Sequence, residues 1–467
     1  MVESATAGRV SVASGVFAAG HLGELTQIID TALVDAVAAE TGTVQKRLRL
    51  LPTRVVIFFV LGLALFEDCG YRLVWDKLTA WLAGSWGAVV RPSASALCRA
   101  RRRVGPTPLR AVFEAIAGPL AWPSTSQAFW CGMRTVAFDG TLLRVPDTAA
   151  VKTRYRKRGG AKVSWPYPLL RLTVLVECGT RALVAAAFGP DTLGETGYAR
   201  RLLGALGPGM LLLADSHYDD GRFLAAINTT GAAWLVRSGA SRRPLIETVL
   251  SDGSYLTCLP TGKGLMTVRV IEARLTIGYA DGTVQHRQWR LVTSLLDPHR
   301  YPAQALMALY HERWEIETSL YAIKDTLLHH SRVLRSRTPD DLDQEVWAIL
   351  AVYQAIKRLG HDAASTRPDL DPDRISFTVA LHTARNQVIL AAAIDCPTGD
   401  PRLGPVGTAV LANLLAPRRQ RTKARTKKIS TSKYKGTGTA FPDRSLNYTL
   451  DTEITIFEDG LTARPKP

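Results

Sequence analysis

Apolar positions in the first quarter of the chain recur at helical spacing. Between Leu22 and Leu120 the stretches "LGELTQIIDTALVDAVAAET", "VVIFFVLGLALF", "WDKLTAWLAG", "PSASALCRARRRVG" and "PLRAVFEAIAGPL" follow one another, and they predict an all-helical region. Near Arg134 the period changes to two. "RTVAFDGTLLRV" alternates and is β-branched, "LLRLTVLVEC" and "RALVAAAFG" are strand-like and separated only by "GT", and "MLLLADS" is a buried apolar run. "ETGYARRLLGAL" and "DDGRFLAAINTTG" read as helices on either side of that run, and "AAWLVRS" as a further strand. The order β-β-β-α-β-α-β, opened by a hairpin and continued through crossover helices, predicts a mixed α/β sheet flanked by helices.

From 239 to about 300 strand follows strand ("SYLTCLP", "LMTVRVIEARLTI", "TVQHRQWRLVTSLL"), which reads as a β-rich insertion. Helices resume near Pro302 and continue through "DDLDQEVWAILAVYQAIKRL" and "DRISFTVALHTARNQVILAAAI". The expected division is a helical N-terminal domain over 1–125, a sheet domain over 126–395 carrying the insertion, and a C-terminal tail over 396–467. In that tail "PRRQRTKARTKKISTSKYK" packs nine basic residues into nineteen with little to bury, and reads as a polycationic arm.

One helix has an unusual polar edge. At about 100° per residue, Tyr310, Arg313, Glu317 and Lys324 of "YHERWEIETSLYAIK" fall within an arc of roughly 60°. Leu309, Ile316, Leu320, Ile323 and Leu327 occupy the neighbouring arc, a stripe suited to docking on a sheet with a polar edge beside the contact. The plainer reading is a solvated face with an i,i+4 pair between Arg313 and Glu317.

Charge narrows the choice of partner. Lys and Arg exceed Asp and Glu by 17, which favours a polyanion, nucleic acid first and an anionic membrane surface second. Val55 to Phe66 is twelve apolar residues against the eighteen or so needed to span a bilayer, so it is expected to be a buried helix, and no secretory signal precedes it. Six scattered cysteines give neither a disulfide scaffold nor a zinc ribbon and fit a reduced cytoplasm. No H-E-x-x-H occurs among the nine histidines. Two basic clusters suit phosphates: Arg99, Arg101, Arg102 and Arg103 on a short helix ended by Gly105 and Pro106, and Arg154, Arg156, Lys157 and Arg158 in the loop from Lys152 to Lys162. For the first cluster a solvated basic face is the alternative.

Two carboxylates carry the chemistry. Asp139 follows the first strand of the sheet and Asp215 closes the "MLLLAD" strand. Either alone is a common turn-former. In this strand order the two strands lie side by side, so the carboxylates meet at the sheet centre and repel by several kcal/mol unless protonated or bound to a cation. A hard divalent ion is the natural resolution, and Glu317, on the decorated helix edge, supplies a third oxygen ligand. Tyr310, Arg313 and Lys324 then lie along the same edge to hold phosphates.

With these residues in place the chain resembles a known family. The strand order is similar to that of the ribonuclease-H-like fold, and Asp139, Asp215 and Glu317 resemble the acidic triad of DDE transposases. Tyr310, Arg313, Glu317 and Lys324 match the Y-(2)-R-(3)-E-(6)-K signature of the bacterial insertion-sequence transposases typified by element four, and the likeness spans roughly Leu22 to Ala393. The resemblance implies two Mg²⁺ ions at the triad, with Mn²⁺ as the expected substitute. It also implies double-stranded DNA with terminal inverted repeats and target DNA as partners, a homodimer on DNA, and a place at the bacterial nucleoid. Implied too are nicking by water, attack of the freed 3′-hydroxyl on the opposite strand to form a hairpin, and cut-and-paste transposition, with Trp289 receiving an unstacked base. Where many relatives follow the second Asp with Arg ("ADRxF"), this chain has "ADSHY", leaving His217 as an alternative donor or a surface histidine. An idle DNA-binding descendant and a nuclease of the same fold are the alternatives. A glycosidase fits neither the charge nor the third acid.

Overall fold

The computed structural model describes residues 22–45, 51–80, 91–125, 128–157, 159–160, 163–164, 166–239, 242–278, 284–312, 317–329, 333–367, 370–390, 400–415 and 451–457. The front of the chain is helical, as its periodicity predicts: α1 (Thr31–Glu40), α2 (Thr53–Leu65), α3 (Tyr71–Thr79), α4 (Ala94–Val104) and α5 (Thr107–Ile116). Asp30 and Ser93 cap α1 and α4, accepting the amides of Leu33 at 2.7 Å and Ala96 at 3.2 Å. From Val55 onward α2 has no polar side chain to turn outward and is buried on every face. Then come strands β1 (Met133–Arg144), β2 (Leu169–Glu177) and β3 (Leu183–Pro190), helix α6 (Glu195–Arg200), β4 (Met210–Ala214), α7 (Gly221–Asn228) and β5 (Ala233–Arg237). The insertion supplies β6 (Tyr255–Pro260), β7 (Leu265–Gly278) and β8 (Val284–Thr293). Helices α8 (Ala303–Glu312), α9 (Glu317–Tyr321), α10 (Pro339–Ala364), α11 (Phe377–Leu390) and α12 (Pro405–Ala412) follow, and β9 (Asp451–Ile456) closes the series. Among the described residues no helix is long and apolar enough to cross a membrane.

Interleaved segments build two compact units. The first comprises 1–129, 138–205 and 315–414. In it β2 and β3 form the expected antiparallel hairpin, Leu170 opposite Pro190 through Val176 opposite Leu183. The turn between them places Gly179 at φ +85° and Arg181 at +62°. Long, largely buried α10 is the axis on which α2, α5, α11 and α12 pack.

Arginines tie the front helices to α10, to the segment before it and to α11. Arg101 donates to Tyr71 Oη at 2.8 Å, to Ser336 Oγ at 2.7 Å, to Gln344 Oε1 and to the Asp341 carbonyl. The Leu63 and Leu65 carbonyls at the C-terminal end of α2, which have no partner within the helix, accept from Arg335 at 3.1 Å and Arg385 at 2.7 Å, and Arg335 also donates to the carbonyls of Phe66 and Cys69 just beyond it.

The second unit comprises 130–137, 206–314 and 415–467. The first half of β1 runs parallel to β4, Arg134 beside Met210 through Ala137 beside Leu213. Strand β4 runs parallel to β5, Leu211 beside Ala233 through Ala214 beside Val236. Leu211–Ala214 is fully buried, as a parallel strand covered on both faces must be. The insertion continues this sheet with antiparallel pairs β5–β8, β8–β7 and β7–β6. Strand β7 is long enough for one edge to pair with β6 over Leu265–Val270 and with β9 over Ala273–Gly278. The C-terminal region is thus not a basic arm throughout: it adds α12 to the first unit and β9 to the second. The basic stretch 417–435 lies outside the described residues.

Candidate active site

Ala137 and Leu213 are register partners on parallel β1 and β4, and Asp139 and Asp215 each stand two residues further on. Asp139 is not at a strand end, because β1 continues to Arg144. What changes there is burial: Thr135–Phe138 are buried, whereas Asp139 and Gly140 are half exposed. Asp139 Oδ1 accepts the Gly140 amide at 2.8 Å. Asp215 ends β4 and caps the 3₁₀ turn Ser216–Tyr218, its Oδ1 accepting the His217 amide at 2.9 Å. Its Oδ2 lies 3.1 Å from His217 Nδ1, so the exposed histidine is a partner of this carboxylate. The Asp215 side chain keeps 31% of its surface open.

Tyr310 corrects the reading of the helix edge. It is 1% exposed, and its hydroxyl donates to the carbonyl of Ala214, the residue before Asp215, at 3.0 Å. A phenol so placed braces the end of β4 and does not face a phosphate. Trp289 is also a core residue, 5% exposed, with its ring edge-on to Tyr310 at 5.7 Å and the Arg237 guanidinium 5.1 Å over it. Its side of β8 faces inward, so the expected base-stacking position is filled by protein. Arg313 lies outside the described residues, as does the side chain of Glu317, the first residue of α9. Leu320, Ile323 and Leu327 are buried, as the apolar stripe predicts. The helix beyond α9 changes pitch: Ala322–Leu327 is a π-helix, with the Leu328 amide bonded to the Ile323 carbonyl at 3.1 Å, and half-exposed Lys324 sits on it. The 100° arithmetic does not carry across that turn.

The basic clusters divide. Arg101 is buried in the network described above, so it holds helices together and reaches no DNA. Arg102 is exposed and pairs with Asp341 at 3.1 Å, and Arg103 donates to the Leu51 carbonyl at 2.6 Å. Arg99 is exposed. In the second cluster Arg154 pairs with Asp343 at 2.7 Å, and Lys157 and Lys152 both pair with Asp147. The Lys157 ammonium, with Lys152, holds the Asp147 carboxyl below the usual range. This loop's charge is therefore partly met by protein. Arg156 is exposed without an ion-pair partner among the described residues, and Arg158 lies outside them.

The sequence reading passed over Asp219. Its Oδ2 accepts Ser238 Oγ at 2.8 Å and Arg242 Nε at 2.9 Å, tying the turn after Asp215 to the end of β5. The signal was a second acid four residues past the first. Among the described residues no three His, Cys, Asp or Glu side chains gather as a metal-binding group; that of Glu317 is not among them.

Residues 19–114 match the family described as the insertion element 4 transposase N-terminal region, and residues 130–355 match the transposase DDE domain. Transposase InsG for insertion sequence element IS4 of Escherichia coli (strain K12) is 30% identical over 366 residues, 76% of this chain and 80% of that protein. The chain belongs to the insertion element 4 family of DDE transposases. The transposase is also similar to the putative transposase InsZ of the same organism, 28% identical over 49% of this chain and 76% of that one. A solved structure, a piggyBac transposase synaptic complex with hairpin DNA, is similar with a TM-score of 0.40 and 12% identity over 85% of this chain and 84% of that one. Its mixed sheet, with helices before and after, is the ribonuclease-H-like fold of a DDE domain, and the transposase is an enzyme of DNA cleavage and strand transfer.

Proposed function

We propose that the transposase moves its element by cut-and-paste, with Asp139, Asp215 and Glu317 as the acidic triad and a DNA hairpin as the intermediate of second-strand cleavage. The observation that supports this reading is the parallel pairing of β1 and β4, whose last register pair, Ala137 and Leu213, lies two residues before Asp139 and Asp215. Carboxylates brought to one strand spacing, about 4.8 Å, would repel by roughly 3 kcal/mol at an effective dielectric constant of 20. Two partly exposed, all-oxygen donors in that arrangement fit a hard divalent cation, and Asp139, Asp215 and Glu317 would hold two Mg²⁺ ions, or Mn²⁺ in their place. Such ions supply activation of the attacking oxygen and stabilisation of the leaving one.

The chain's own residues fix the geometry. The Gly140 amide orients Asp139, the His217 amide and ring orient Asp215, and Tyr310 secures the backbone before it. Of the cations expected to hold phosphates, Arg99 and Arg156 are exposed and Lys324 half exposed, and Arg313 joins them by its place in the signature alone. In the first step a water oxygen bonds to phosphorus at the element's end as the P–O3′ bond breaks, leaving a 3′-hydroxyl and a 5′-phosphate. That 3′-hydroxyl then attacks the opposite strand, releasing the flanking 3′-hydroxyl and closing a hairpin, which water opens before joining to target DNA. A base leaves the stack in the second step at a cost of a few kcal/mol, and Trp289 receives it only by leaving Tyr310 and Arg237. Terminal inverted repeats are the substrate, and two ends cut together require a homodimer.

Asp139→Asn and Asp215→Asn test the triad. Each should slow cleavage of the element's ends about a thousandfold, some 4 kcal/mol of barrier, while end binding is kept. Wild-type cleavage by either variant removes that aspartate from the triad.

A further inference from the structure

The two aspartates are held differently. Asp215 caps its own turn through two contacts with His217, whereas Asp139 lies mid-strand. The Gly140 amide donates to Asp139 Oδ1 at 2.8 Å. Against Gly140 stands Glu195, the first residue of α6. A Cβ on residue 140 would lie 2.5 Å from Glu195 Oε1 and 2.7 Å from its Cδ, so the carboxylate fills the space that glycine leaves open. On its other side Glu195 pairs with Arg171 of β2 at 3.6 Å, both side chains mostly buried.

We propose that Glu195 is a positioning residue for Asp139. Anchored by Arg171, it fixes the peptide between residues 139 and 140, and through the Gly140 amide it fixes the carboxylate that takes the divalent cation. This rests on the assignment of Asp139 to the acidic triad. An ion pair serving only the fold would contribute to stability and leave cation affinity alone.

The test uses the full-length transposase, with Mn²⁺ binding followed by electron paramagnetic resonance and end cleavage followed against Mn²⁺ concentration. Glu195→Ala removes the brace, and Gly140→Ala drives the carboxylate off it without removing it. Each should weaken Mn²⁺ binding about tenfold and raise the Mn²⁺ needed for half-maximal cleavage equally, with affinity for end DNA unchanged. The double variant should show the same tenfold loss, because both changes break one contact, and Glu195→Gln, which keeps the shape, should recover most of it. Wild-type Mn²⁺ affinity in Glu195→Ala, or a loss in the double variant equal to the product of the singles, overturns the proposal. Asp139→Asn measured in parallel separates it from the triad: cleavage that survives this change overturns the assignment of Asp139. Cleavage lost there while Glu195→Ala binds Mn²⁺ normally overturns only the role of Glu195.

Discussion

Tyr310→Phe removes one oxygen atom and separates two accounts of the helix edge. The hydroxyl donates to the Ala214 carbonyl in a fully buried setting. A neutral hydrogen bond contributes about 1 kcal/mol net, and a buried acceptor left short of a donor costs about 1–3 kcal/mol, so the variant should lose about 1–2 kcal/mol. Thermal unfolding should shift down by about 2–5 °C. Asp215 follows Ala214 directly, so the loosened backbone should also slow cleavage, about tenfold for each 1.4 kcal/mol that reaches the transition state. Binding to end DNA, measured by fluorescence anisotropy, should not change, because the phenol does not face the nucleic acid. A phosphate-holding tyrosine behaves in the opposite way: losing a hydrogen bond to a charged group weakens binding by about 1.5–3 kcal/mol, more than tenfold, with stability intact. Wild-type thermal stability combined with tenfold weaker end binding would refute the bracing role.

Arg101→Ala strips four hydrogen bonds from the core and should destabilise by about 3–5 kcal/mol in chemical denaturation. A change under 1 kcal/mol would return this arginine to the surface. Arg99→Ala and Arg156→Ala should each reduce the slope of log affinity against log salt by about 0.9 without altering stability, and an unchanged slope removes that residue from the DNA contact. Burial pushes the Glu24 carboxyl up, against the lowering effect of the Val406 and Gly407 amides. A carboxyl raised on folding supports the fold fully below its unfolded pKa, 4.5, and that support is lost as pH rises through the higher folded value. Glu24→Gln should therefore match the wild type near pH 4 and exceed it in stability at neutral pH, and parallel pH–stability curves would contradict this.

The strand order was legible because it rests on local pattern. The buried apolar run before Asp215 and the buried first half of the alternating run that holds Asp139 pair in parallel from Arg134 beside Met210 to Ala137 beside Leu213, once the crossover helix joins their strands. The burial of Arg101 was legible in part. Leu97, Ala100, Arg101 and Val104 share one helix face at i, i+3, i+4 and i+7, and all four are buried. Its partners lie at positions 71, 336, 341 and 344, which no local window reaches. Tyr310 was misread because a phenol at the border of an apolar stripe suits either side; the π pitch of Ala322–Leu327 bears only on the placing of Lys324. Strand β9 carries alternation in "DTEITI", but it follows a long basic stretch, and its pairing depends on the unusual length of β7.

The most direct test of the acidic triad is a cleavage assay on labelled DNA carrying the element's own ends, with Mg²⁺ or EDTA, comparing the wild type with Glu317→Gln. Double-strand release in Mg²⁺ that is absent in EDTA and in the variant, with end binding kept in both, is the expected result. Mg²⁺-dependent release by Glu317→Gln at the wild-type rate would contradict it and take the third carboxylate out of the site.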